Sequence, residues 1–226
     1  MNSHWWVTDL YQISPVVLGS WVFWVIASIV LHELGHGMAA IRSGDRTPID
    51  TGHMTLNPFV HMGAVSLVCF AILGFCWGAM PVDPTRFRGR YDEAKVAAAG
   101  PAMNFGLALT CAIAGAVWAV LLSQHAPEHV RHNVRIFIRI GAGLNVFLML
   151  FNLLPVPPLD GSRILANFFP AVRRMVFDER GQIIAVIGFV LVFRFVSGGV
   201  QTIAFEAADR VIESATRALE AISGMR

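Results

Sequence analysis

Four apolar runs decide most of what this chain can become. Residues 16–41, 96–123, 134–154 and 181–203 each reach the roughly 20 residues that a helix rising about 1.5 Å per residue needs to cross hydrocarbon. Backbone polar groups in lipid must be satisfied within their own segment, so such runs are expected as helices. The composition agrees. Of 226 residues, 55% are hydrophobic and 14% charged, and the mean hydropathy is +0.60. A soluble domain carries about a quarter charged residues. A net charge of +2 without a basic run leaves no case for a nucleic-acid partner. Cys69, Cys76 and Cys111 lie scattered in apolar stretches and make neither a disulfide framework nor a metal knot. The expected fold is an all-α polytopic membrane protein, one domain over residues 1–226, with the bilayer as its first partner.

The segments between the runs differ in kind. Residues 46–58, with Pro48, Gly52 and Pro58, read as a short β-like stretch broken by turns. Residues 62–80 are apolar enough to pass for another span. Residues 81–95 hold Pro81, Pro84, Arg86, Arg88 and Arg90 and read as a solvated loop. The link at 124–133 carries His125, His129 and His132. Arg194 interrupts the last run, and the tail at 204–226 alternates apolar and charged positions at helical spacing, as an amphipathic helix on a surface does.

Within the first run stands HELGH, residues 32–36. Four residues separate His32 from His36, which puts both imidazoles on one helix face, one turn apart, as one zinc ion requires. Glu33 is adjacent to the first histidine, placed to take a proton from a water that zinc acidifies. Charged groups in a spanning helix cost about 2.5 kcal/mol or more each, so these three are expected to face a protein interior with partners. A catalytic zinc takes three protein ligands. His4, His53, His61, the histidines of the 124–133 link and Asp160 are all candidates for the third. Asp160, in PPLDG at the end of an apolar run, serves equally well on spacing alone as a turn or helix-capping residue.

Four elements in order carry a resemblance: HELGH at 32–36, TLNPFVH at 55–61, AAGPAMN at 98–104 and NLLPVPPLDG at 152–161. Together they resemble the site-2 protease family, the intramembrane zinc proteases of peptidase family M50, over residues 20–165. The resemblance implies Asp160 as the third ligand to one zinc per chain. It implies Asn152 in holding substrate or oxyanion, and His61 close to the site. Asn104, another amide in apolar surroundings, is a further candidate for substrate or oxyanion support, and both amides serve equally well on sequence alone in interhelical hydrogen bonds. Where relatives often follow the NPxxH element with Asp-Pro-x-Gly, this chain reads His61-Met62-Gly63-Ala64 and lacks that acid. A form without PDZ or CBS modules is expected, with a catalytic core at about 16–165, a C-terminal span at 181–203 and the tail at 204–226. The implied activity is a metalloendopeptidase cutting in or near the transmembrane segment of single-span membrane proteins. A prenyl-protein endopeptidase would lack the GPxxN and LDG elements. A metal carrier or scaffold would have no use for Glu33.

Parity then constrains topology. If HELGH and LDG serve one metal, the C-terminal ends of the first and third runs share a side. The runs 96–123 and 134–154 go up and down, so residue 95 is on that side too. The segment 62–80 therefore starts and finishes on one side and must be re-entrant or broken. That side holds Arg42, Arg46, Arg86, Arg88, Arg90, Lys95, Arg163, Arg173, Arg174 and Arg180, against Arg131 and Arg135 opposite, with Arg139 just inside the span. By the positive-inside rule the site is expected to open toward the cytoplasm from the cell membrane.

Overall fold

The computed structural model describes residues 5–177 and 179–224. Nine α-helices are defined among them: α1 Trp6–Ile13, α2 Pro15–Arg42, α3 Thr47–Asp50, α4 Pro58–Leu73, α5 Asp92–Val117, α6 Glu128–Asn152, α7 Asp160–Ala166, α8 Pro170–Phe177 and α9 Glu179–Ser223. Four segments are long and apolar enough to cross a membrane: α2, α5 with its continuation to His125, α6, and the stretch Ile187–Ser223 of α9. The chain is thus an all-α polytopic membrane protein, as expected.

Small residues set the crossings, as they do wherever helices must approach closely in lipid. Gly35 of α2 meets the backbone of α5, where a Cβ would stand 2.8 Å from the Ala99 carbonyl oxygen. Gly141 of α6 accepts the Trp24 ring of α2, whose indole N–H donates to the Phe137 carbonyl at 2.9 Å. Gly143 of α6 lies under Phe205 of α9. The start of α2 is fixed by Ser14, whose hydroxyl accepts from the Val16 amide, and by Pro15 at the first helical position.

The 62–80 segment re-enters. Asn57 caps α4, Gly63 (φ 68°, ψ 166°) kinks it, and Gly74 (φ 72°) ends it in the left-handed region that favours glycine. An extended strip, residues 75–83, then runs back beside α4. Ser66 Oγ accepts from the Trp77 amide at 2.8 Å and donates to the Trp77 carbonyl at 2.7 Å. The Ala79 amide donates to the His61 carbonyl at 2.9 Å. The strip returns to where α2 ended: the Asp83 amide donates to Asp45 Oδ2 at 2.7 Å, and the Arg88 amide to the Ser43 carbonyl at 3.1 Å.

Three expectations change. The 46–58 stretch is not β-like: no strand occurs among the described residues, and Thr47–Asp50 is a turn of helix. Asp45 accepts from the Thr47 amide at 2.9 Å and Pro48 sits in the first turn, a combination that starts helices. Next, α5 begins at Asp92, within the stretch read as a solvated loop, so Gly100 and Pro101 lie inside the helix. Last, α9 does not end at 203. Ala204 and Ala208 are buried, and the Arg139 guanidinium holds Asp209 through two contacts at 2.7 and 2.8 Å. The apolar stripe of 204–223 therefore faces α5 and α6 and does not lie on a separate surface. The pairs Gly143/Phe205 and Arg139/Asp209 show α9 running antiparallel to α6, a register that brings the end of α6 level with Val196.

Candidate metal centre

His32, Glu33 and His36 lie ten to six residues before the end of α2, all buried. Asp160 opens α7, directly after the proline-rich unwound stretch that follows α6. Gly161 lets that turn pack beneath the end of α6, since a Cβ there would stand 2.2 Å from the Leu153 carbonyl oxygen. The three donors converge. His32 Nε2 is 3.0 Å from His36 Nε2 and 3.1 Å from Asp160 Oδ2, and His36 Nε2 is 3.4 Å from Asp160 Oδ1. Ligands about 2.0–2.1 Å from a tetrahedral zinc stand about 3.3 Å apart. Buried Asp160 Oδ2 has no hydrogen-bond partner, as befits an oxygen that a cation would satisfy. Gly100 of α5 leaves the space open: a Cβ would lie 2.4 Å from His36 Nε2 and 2.5 Å from His32 Nε2.

The far nitrogens of both rings are anchored, which turns the Nε2 lone pairs toward the shared centre. His36 Nδ1 bonds the Val96 carbonyl at 2.7 Å. That oxygen is an acceptor only, so Nδ1 carries the proton. His32 Nδ1 meets Asn104 Oδ1 at 2.6 Å, Asn104 Nδ2 donates to Asn145 Oδ1 at 2.9 Å, and Asn145 Nδ2 donates to the Gly141 carbonyl at 2.9 Å. This chain of amides fixes the direction of every bond in it. Asn104 and Asn145 are both fully buried. Asn145 was not singled out from the sequence; the signal was a lone amide in the apolar run GAGLNVF.

The centre opens into a cavity of about 1070 Å³. Glu33 and Asn152 line it, with Phe189, Phe193, Ser197 and Gln201 of α9 on one wall and the 75–83 strip on another. Gly78 of the strip makes room for Glu33, since a Cβ would come within 2.7 Å of its Oε1. Asn152 donates one amide hydrogen to the Leu148 carbonyl at 3.0 Å. His61 is not on the cavity wall. It is buried behind the strip, where its ring Nε2 meets the Thr55 carbonyl at 2.7 Å and its backbone accepts from Ala79. His53 stacks edge-on to His61, 6.3 Å between centroids, and belongs to no metal-type cluster among the described residues. His125, His129 and His132 are exposed at the opposite end of the bundle, and His4 lies outside the described residues.

Fold and centre together define an integral-membrane protein with a buried His-His-Asp group spaced to hold a metal ion, and an adjacent carboxylate. Comparison with known proteins gives the family. The profile of peptidase family M50 matches residues 119–195, a stretch that includes Asn152 and Asp160. "Putative zinc metalloprotease YwhC" of Bacillus subtilis is 35% identical over 154 residues, covering 66% of this chain and 68% of that protein. A likewise named protein of Methanocaldococcus jannaschii, MJ0611, is 35% identical over 156 residues, 69% of this chain and 70% of its own. Rip2 of Mycolicibacterium smegmatis, with the same form of name, is 32% identical over 157 residues, 65% of this chain and 54% of its own. No solved structure matches significantly. The chain belongs to peptidase family M50, the site-2 proteases. It is a membrane-embedded zinc metalloendopeptidase.

Proposed function

We propose that this protease cuts a peptide bond in or near the transmembrane segment of single-span membrane proteins, with Glu33 as the general base. His32, His36 and Asp160 would hold the zinc, which when bound supplies a Lewis acid that acidifies water and polarises a carbonyl. Glu33 takes the proton of the attacking water and passes it to the leaving amine. Asn152 keeps one amide hydrogen for Leu148 and has its second for the substrate carbonyl oxygen. Asn104 and Asn145 hold His32 in the tautomer that leaves Nε2 free. His61 supports the strip that borders Glu33.

The observation that carries this reading is the strip itself. The amides of Trp77, Ala79 and Asp83 are bonded inward, to α4 and Asp45, whereas those of Cys76, Gly78, Met80 and Val82 have no partner within the described protein. These alternate amides form an open strand edge along the cavity, the geometry by which an unwound helix adds as an extended strand. The substrate edge is therefore 75–83. The arginine-rich end of the bundle, facing the cytoplasm of a cell membrane by charge bias, would admit the substrate from that side.

The test is purified protein and its Glu33→Gln variant, each incubated with a panel of single-span reporter proteins in detergent or bilayers. Cleavage should fall by about 10²–10⁴-fold in the variant, with bound zinc per chain unchanged. Equal cleavage by both would remove Glu33 from the mechanism.

A further inference from the structure

At the end of the bundle opposite the metal centre lies a second cleft, of about 660 Å³, between the last turns of α5, the first turns of α6 and the last turns of α9. Its volume is that of a small-molecule site. Its floor is apolar, with Trp118, Ala119, Ile138 and Ile212. Here α5 passes into a π-helical turn, Trp118–Leu122, a rare backbone form that is frequent at functional sites.

The rim is charged, and its charges do not cancel within the protein. Arg131, Arg135 and Arg139 recur every fourth residue along α6, facing Asp209, Glu213, Arg217 and Glu220 of α9. Arg139 is held by Asp209, and Arg217 by Glu213 at 3.1 Å. Arg131, Arg135 and Glu220 are left with no side-chain partner among the described residues. Two guanidiniums one helical turn apart converge on a group about the size of a phosphate, and a guanidinium fork suits phosphate oxygens. The single free acid, Glu220, suits an ammonium beside it. The start of α6 lies at the end of a spanning helix, which is headgroup depth.

We propose that this cleft binds the headgroup of an amine-bearing membrane phospholipid of the phosphatidylethanolamine type. Arg131 and Arg135 hold the phosphate, Glu220 accepts a hydrogen bond from the ammonium, and an acyl chain lies along Trp118, Ile138 and Ile212. A choline headgroup has no N–H to offer Glu220, so it is the weaker ligand.

The experiment is native mass spectrometry of the full chain in mild detergent, titrated separately with phosphatidylethanolamine, phosphatidylcholine, chain-free glycerophosphoethanolamine and inorganic phosphate. Retention of phosphatidylethanolamine should exceed that of phosphatidylcholine and should fall about tenfold in the Arg131→Ala/Arg135→Ala double variant. Arg210→Ala, an exposed charge outside the cleft, should change nothing. Glu220→Gln should erase the preference for the ethanolamine lipid while phosphatidylcholine retention stays as it was. Bound zinc reports that each variant is folded. Should the double variant lose zinc, Glu220→Gln alone decides. Equal retention by wild type and double variant means adventitious lipid only and overturns the proposal. So does a missing headgroup preference. Inorganic phosphate competing as well as the lipid would reassign the cleft as an anion site. None of these outcomes depends on proteolysis.

Discussion

Asn145 makes no contact with the metal donors, yet it sets the orientation of one of them. It gives its carbonyl oxygen to Asn104 Nδ2, which leaves Asn104 Oδ1 as acceptor for His32 Nδ1. Removing it leaves Asn104 free to flip and to offer an N–H where His32 also has one. Asn145→Leu should therefore lower zinc affinity by about 10–100-fold, the usual cost of losing an outer partner of a ligand, as measured by competition with a chromogenic chelator. A variant with wild-type affinity would make the amide chain an ordinary packing network. Legibility at this scale followed spacing. His32, Glu33 and His36 were readable because one helical turn fixes their relation. Asp160 came from resemblance, because no local rule ties a residue after α6 to one inside α2. Asn145 was invisible because a single buried amide looks the same whether it serves a ligand or a helix contact.

The elements that define the cavity depend on a few pins, of which Asp45 is the clearest. It is fully buried and joins the end of α2 to the end of the 75–83 strip. Burial pushes its carboxyl pKa up, but hydrogen bonds from the Thr47 hydroxyl and from the Asp83 and Thr47 amides, with Arg86 nearby, outweigh this and hold it below the ordinary 3.8. A carboxylate with a depressed folded-state pKa stabilises the fold fully above its unfolded value, and that contribution disappears as pH falls through the folded value. Asp45→Asn should thus cost about 1–2 kcal/mol at neutral pH, and the gap to wild type should close on acidification below pH 3.8. Thermal unfolding in detergent at several pH values reads both effects; a gap independent of pH would show that the charge is irrelevant. Hydropathy alone saw 62–80 as a span, and only parity predicted the return. The helical turn at Thr47–Asp50 and the unbroken run of α9 were missed for one reason. Turn residues were read as strand breakers, and a charged-apolar alternation as a surface, when Asp45 and the faces of α5 and α6 supplied the partners.

For the molecule as a whole, both ends of the re-entrant segment must be reachable from one face of the membrane. In a background where Cys69, Cys76 and Cys111 are replaced by Ala, Leu56→Cys and Arg88→Cys should react with an impermeant thiol reagent from the same side, and Gln124→Cys from the other. Labelling of residues 56 and 88 from opposite sides would break the parity on which the orientation rests. The overall class was legible because lipid allows few architectures, and four apolar runs nearly exhaust the choices. How α9 lies against α6 was not, since its register rests on Gly143, Phe205, Arg139 and Asp209 meeting across the interface.

The donors of the metal centre sit on opposite sides of a gap in the chain: His36 and Asp160 are separated by more than half its length. A ribosome that has released only α2 has made a two-histidine site with no third arm. The three-donor group is therefore complete only once α5, α6 and the turn after them have been synthesised and inserted. The order of the chain thus sets the moment at which its donors can first meet.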